Sequence, residues 1–144
     1  MTLLAYFDTS LLVKRYVPEV GSNELETYLC SKQPHLMVSE LSRLEFTSTL
    51  QRKMREGVLT QALVDAMQRQ ADEDLLSGVI EMTALDSQII SRGLTLMRTL
   101  KQAVATLDAI HLATALARKA DMFLTNDKQL ARAALETGLQ VWPD

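Results

Sequence analysis

The sequence predicts an α/β protein: a three-layer α/β/α sandwich around a central parallel sheet of about five strands. Short apolar runs alternate with helical patterns along the whole chain, the order that βαβ crossovers impose on a parallel sheet. Most of these runs are apolar throughout rather than alternating, as strands covered on both faces must be. The chain has 144 residues, 47% apolar and 23% charged, which suits one soluble domain over 1–144, long enough for one core and too short for two.

The elements follow in order. LLAYF (3–7) reads as the first strand, and a helix from Ser10 to Tyr16 is ended by Pro18. A second helix runs from Ser22 to Ser31, and HLMVS (35–39) is the second strand. Glu40 to Glu56 is helical, with Gly57 as its stop. A helix over 60–76 includes QADED (70–74), read as a solvated acidic face, and GVIEMTAL (78–85) is the third strand. Helices follow over 86–101 and 106–120, the latter capped near Thr106; MFLT (122–125) is the fourth strand. A helix over 128–137 stops at Gly138, and LQVW (139–142) is the fifth strand. Neither a linker, a repeat nor a low-complexity tract is visible.

The formal net charge of −3 argues against a general nucleic-acid coat protein, which is usually basic, but leaves room for an enzyme that grips nucleic acid locally. Basic residues do gather at Lys14-Arg15 and in QRKMR (Arg52, Lys53, Arg55); the simplest reading of each is a solvated helix face. The start, MTLLAYFD, carries no basic leader and its apolar run is too short to span a bilayer. Cys30 is the single cysteine, so no intrachain disulfide can form. A cytoplasmic protein without membrane attachment is expected.

Chemistry is suggested by carboxylates at strand ends. LLAYFDTSLLV and MFLTNDKQLA share one design: an apolar run, an aspartate (Asp8, Asp127), then a helical pattern. In a parallel sheet such positions share the rim at the strands' carboxyl ends, where α/β proteins bind ligands. Each has an ordinary alternative. Asp8 can cap the helix after it, Asn126 or Asp127 can cap KQLARAALE, and Asp108 in TLDAIHLATALA can complement a helix dipole. Glu45 completes Ser42-x-x-Glu45, a capping-box spacing. Asp86, between VIEMTAL and SQIISRGL, has the same local setting as Asp8, so position alone does not separate caps from catalytic acids. The helix from Thr106 is apolar almost all round, with Asp108, His111, Thr114 and Arg118 on one stripe, so Asp108 is expected to open into a cleft.

Carboxylates crowded on one rim raise one another's pKa, and hard divalent cations relieve the repulsion; oxygen donors select Mg²⁺ or Mn²⁺. Cys30, His35 and His111 have no zinc spacing, and His111 reads as a helix-face histidine. The five glycines form no phosphate loop.

With these residues in view, the sequence resembles the PIN-domain ribonucleases, and among them the VapC-like toxins of toxin–antitoxin pairs. The resemblance is carried by YFDTSLLVKRY, SELSRLEF, TLDAIHLATAL and FLTNDKQLARAA, in order and across essentially the whole chain. It implies that Asp8, Glu45, Asp108 and Asp127 are an acidic quartet holding Mg²⁺ or Mn²⁺ for RNA phosphodiester hydrolysis. Ser10 matches a small hydroxyl residue often found beside the first aspartate, and Asn126 lies where the family varies. An antitoxin partner and a homodimer, contacting through 22–31 and 40–56, are implied too.

Two other readings compete. Mg²⁺-dependent phosphotransfer or phosphatase domains also keep an aspartate after the first strand. Asp8-Thr9-Ser10 is not the Asp-x-Asp of the dehalogenase type, however, and VWPD lacks the lysine a receiver needs. A non-catalytic protein-binding module is the other, and RNA cleavage with and without Mn²⁺ separates it from a nuclease.

Overall fold

In a computed structural model, residues 2–144 are described. The elements run β1 (Leu4–Phe7), α1 (Thr9–Tyr16), α2 (Ser22–Lys32), β2 (His35–Ser39), α3 (Leu41–Arg55) and α4 (Gln61–Leu76). They continue β3 (Ile80–Thr83), α5 (Ser87–Thr99), α6 (Thr106–Ala117), β4 (Met122–Leu124), α7 (Lys128–Glu136) and β5 (Gln140–Trp142). The five strands form one sheet in the order β3-β2-β1-β4-β5, every pair parallel. This is the expected α/β/α sandwich.

The period-two alternation of a strand divides β1 between two cores. Ala5 and Phe7 pack with Leu11, Leu25, Phe46, Leu50 and Val64, so α1 to α4 cover one face. Tyr6 turns to the other face, where Leu112, Phe123, Leu130 and Ala133 pack with Leu96 from α5. Central strands sheltered from both sides are why the sequence shows unbroken apolar runs there.

Helix ends follow local chemistry. Gly57 and Gly138 have φ of +78° and +94°, the left-handed conformation in which glycine closes a helix cheaply, and they follow α3 and α7 as expected. Two expectations are corrected. Thr106 is not the cap of α6: the cap position is Ala105, in extended backbone and without a side-chain bond, and Asp108 lies in the first turn. QADED is not a uniformly solvated face, because Ala71 and Asp74 are buried and Asp74 accepts a 2.6 Å bond from the Tyr16 hydroxyl. Among the described residues, no helix is long and apolar enough to cross a membrane.

Candidate active site

The chain leaves β1 toward β2 and β3 on one side, then returns to place β4 and β5 on the other. Connections therefore depart in opposite directions at β1 and β4, and the crevice at their carboxyl ends is where such a sheet opens to ligands. Phe7 stands in register with Leu124, and the Asp8 amide donates to the Leu124 carbonyl at 2.9 Å. Asp8 and the segment Thr125-Asn126-Asp127 meet there.

Asp8 occupies the N-cap position of α1, yet its side chain makes no capping bond. It is buried instead, and its Oδ2 accepts from Ser10 Oγ at 2.9 Å and Thr125 Oγ1 at 2.8 Å. Among the described residues nothing donates to Oδ1, from which His111 Nε2 is 3.9 Å away. A cap side chain would bond the helix amides; this one is held by hydroxyls with one oxygen left over. Thr125 also accepts from the Asp127 amide at 3.0 Å, so one buried hydroxyl ties the β1 and β4 ends together. Sequence reasoning missed Thr125, whose link to Asp8 spans 117 residues and appears only once the strands are in register.

Glu45 sits on α3, but Ser42-x-x-Glu45 is not a capping box here. Its Oε1 accepts from Thr9 Oγ1 at 2.7 Å and from His111 Nε2 at 2.6 Å. Burial alone would raise the Glu45 carboxyl. The His111 hydrogen bond and charge, with the Thr9 bond, together outweigh burial and hold it below the usual glutamate range. His111 is no surface helix-face residue: it is buried, and its Nδ1 lies 2.5 Å from the Tyr6 hydroxyl. The sequence did carry a signal, since a histidine inside a helix apolar nearly all round must find partners.

Asp108 is half-buried on α6, one turn before His111, and accepts no hydrogen bond from the described residues. Its carboxyl is pushed up to about 6, first by burial, then by the charges of Asp8 and Asp127, with Glu45 adding and His111 opposing. Asp127 is exposed and does cap α7: its Oδ1 accepts from the Gln129 and Leu130 amides at 2.9 and 3.1 Å. Asp86 does the same for α5, accepting from the Ile89 amide at 3.0 Å. Asn126 is exposed and lines, with Asp8, Ser10 and Glu45, an open groove that Lys14, Arg52 and Lys53 also line. Lys14 and Lys53 are not simply solvated, since Glu19 sits 3.3 Å from Lys14 and 3.2 Å from Lys53, whereas Arg52 is exposed as expected.

The donors fit a hard divalent cation. They are carboxylate oxygens; among the described residues one oxygen on each of Asp8, Glu45 and Asp127 and both on Asp108 accept no hydrogen bond, and Asp108 is raised by burial and then by the negative field of the other three. Among the described residues no three His, Cys, Asp or Glu side chains close into a ready cage. Mg²⁺ typically binds through one or two carboxylates and keeps several waters, so an open arrangement suits it.

An α/β/α sandwich with carboxylates gathered at the reversal of strand order defines the class. A family model, "PIN domain", matches residues 5–136, and the chain belongs to the PIN-domain family, whose members are generally nucleases. Among curated proteins no sequence matches it. Solved structures with the same fold include FitAcB from Neisseria gonorrhoeae, at TM-score 0.72 and 13% identity over 96% of each chain. The sarcin–ricin loop cleaving toxin VapC20 of Mycobacterium tuberculosis gives 0.69 and 16%, covering 90% of this chain and 94% of that one. A toxin–antitoxin complex from Klebsiella pneumoniae gives 0.63 and 20%, covering 88% and 89%.

Proposed function

We propose that this protein is a metal-dependent endoribonuclease, the toxin of a type II toxin–antitoxin pair. The observation that carries the reading is that Asp8, although placed as a helix cap, is withheld from capping and shares one electrostatic site with Asp108, Asp127 and Glu45. Asp8, Asp108 and Asp127 would hold Mg²⁺ or Mn²⁺, with Glu45 completing the set. When bound, such an ion lowers the pKa of a water and stabilises charge on the phosphodiester. Ser10 and Thr125 orient Asp8, while Thr9 and His111 orient Glu45. Lys14, Arg52 and Lys53 face the same groove and would meet the RNA backbone, giving the local grip that a net charge of −3 does not provide overall.

Similarity to structures that include a toxin–antitoxin complex supports a cognate antitoxin as partner, and a homodimer in the cytoplasm belongs to the same proposal. The test is cleavage of RNA by the purified chain. We expect cutting with Mg²⁺ or Mn²⁺ and none in excess EDTA; full cleavage in EDTA would sink the metal mechanism.

A further inference from the structure

We propose that Tyr6 and His111 are positioning residues that fix one carboxylate oxygen of Glu45 and leave the other free for the site. This rests on the nuclease reading above. Tyr6 is 0% exposed and His111 1%, so their polar atoms need partners inside the protein, and they meet each other and Glu45. The order of protons follows from donors and acceptors. A carboxylate only accepts, so His111 Nε2 carries a proton and donates to Glu45 Oε1 at 2.6 Å, while Nδ1 lies 2.5 Å from the Tyr6 hydroxyl. Thr9 donates to that same oxygen at 2.7 Å. Oε1 is thus held twice, and among the described residues Oε2 accepts no hydrogen bond.

The anchor is rigid. Tyr6 stacks on Phe123 with centroids 5.4 Å apart and planes 8° from parallel, and meets His111 edge-on at 5.7 Å. Tyr6 shares β1 with the approach to Asp8, and His111 shares a face of α6 with Asp108. The two elements that carry the aspartates therefore also set the glutamate, which arrives on α3 from the other layer.

The test compares side chains that can and cannot reach Glu45. His111→Gln extends an amide donor toward Nε2's position, whereas His111→Asn reaches only Tyr6. The double variant Tyr6→Phe/His111→Leu removes both buried partners together, a change that preserves stability better than leaving one unpaired; urea melts select variants that remain folded. Affinity for Mn²⁺ alone, read from the spin-resonance signal of the free ion, and kcat and KM for RNA are then measured. We expect His111→Asn and the double variant to lose about 10–100-fold in Mn²⁺ affinity and kcat, the usual effect of losing a partner behind a ligand, with KM unchanged. His111→Gln should recover most of the loss, and in a Glu45→Gln background His111→Asn should add nothing. Asn and Gln variants matching the parent, or an undiminished loss in the Glu45→Gln background, overturn the assignment. A parent chain that takes up no Mn²⁺ and cuts no RNA instead overturns the nuclease reading, and this inference with it.

Discussion

The rim of the sheet offers two versions of one local arrangement. At the centre, Asp8 follows β1 and starts α1; at the edge, Asp86 follows β3 and starts α5. Both hold extended backbone at an N-cap position, and both follow apolar runs. Asp86 gives its oxygen to the Ile89 amide, while Asp8 gives none to its helix and accepts from Ser10 and Thr125 instead. The difference lies in the neighbours. β1 has β4 beside it, whose following loop supplies Thr125 and Asp127, whereas β3 is an edge strand with only β2 for company. A strand-end aspartate is taken up by hydroxyls of neighbouring segments where strand order reverses and remains a cap elsewhere. Asp127 is the intermediate case, a cap in fact that also lends its charge to Asp108.

The comparison breaks most visibly at Asp8. Asp8→Asn keeps an oxygen for Ser10 and Thr125 but loses the charge, so RNA cleavage should fall by more than about 100-fold while metal-free stability changes little. Mn²⁺ at about 100 times its dissociation constant should stabilise the parent by ~2.7 kcal/mol and the variant far less. Equal shifts in melting temperature would remove Asp8 from the ligand set.

Asp108 sharpens it through pH. Its folded carboxyl titrates near 6 against an ordinary 3.8, so between those values the folded state binds more protons than the unfolded one. Stability of the metal-free protein should therefore fall as pH rises through that window, and the loss should be complete above it. Asp108→Asn should flatten this dependence, leave the protein relatively more stable at neutral pH, and cleave about 100-fold more slowly. Urea midpoints at pH 4 and pH 7 and initial cleavage rates decide it; an unchanged pH slope in Asp108→Asn would mean that neither burial nor the other carboxylates raise Asp108.

Asp86 should give the smallest effect. Asp86→Ala should lower stability by about 1 kcal/mol, the usual loss of a cap, with cleavage per folded molecule retained. A dead but folded Asp86→Ala would erase the distinction between centre and edge.

Strand positions were legible because two covering layers leave unbroken apolar runs, and helix ends because Gly57 and Gly138 take a conformation other residues resist. β3 was over-read at 78–85: Gly78 takes a φ of +82°, and the strand ends at Thr83, where it pairs with β2 alone. The aspartates were visible as a pattern, but not their division of labour, since only register brings Thr125 to Asp8. Glu45 gave the weakest local signal because its partners lie 36 and 66 residues away. His111 was undervalued by weighing it as a possible zinc ligand rather than asking what a buried imidazole must bond.

Joining β1 to β4 also sets when the site comes into being. The bond between Asp8 and Thr125 joins positions 117 apart in the sequence, and such distant contacts must meet the loop-closure cost before they stabilise anything. On the ribosome, a partly made chain already contains Asp8 and Glu45 but has no β4 to seat beside β1. A message truncated before Met122 would yield a stub without Thr125 or Asp127, so the arrangement of carboxylates and hydroxyls at the ends of β1 and β4 cannot assemble until both strands have been made.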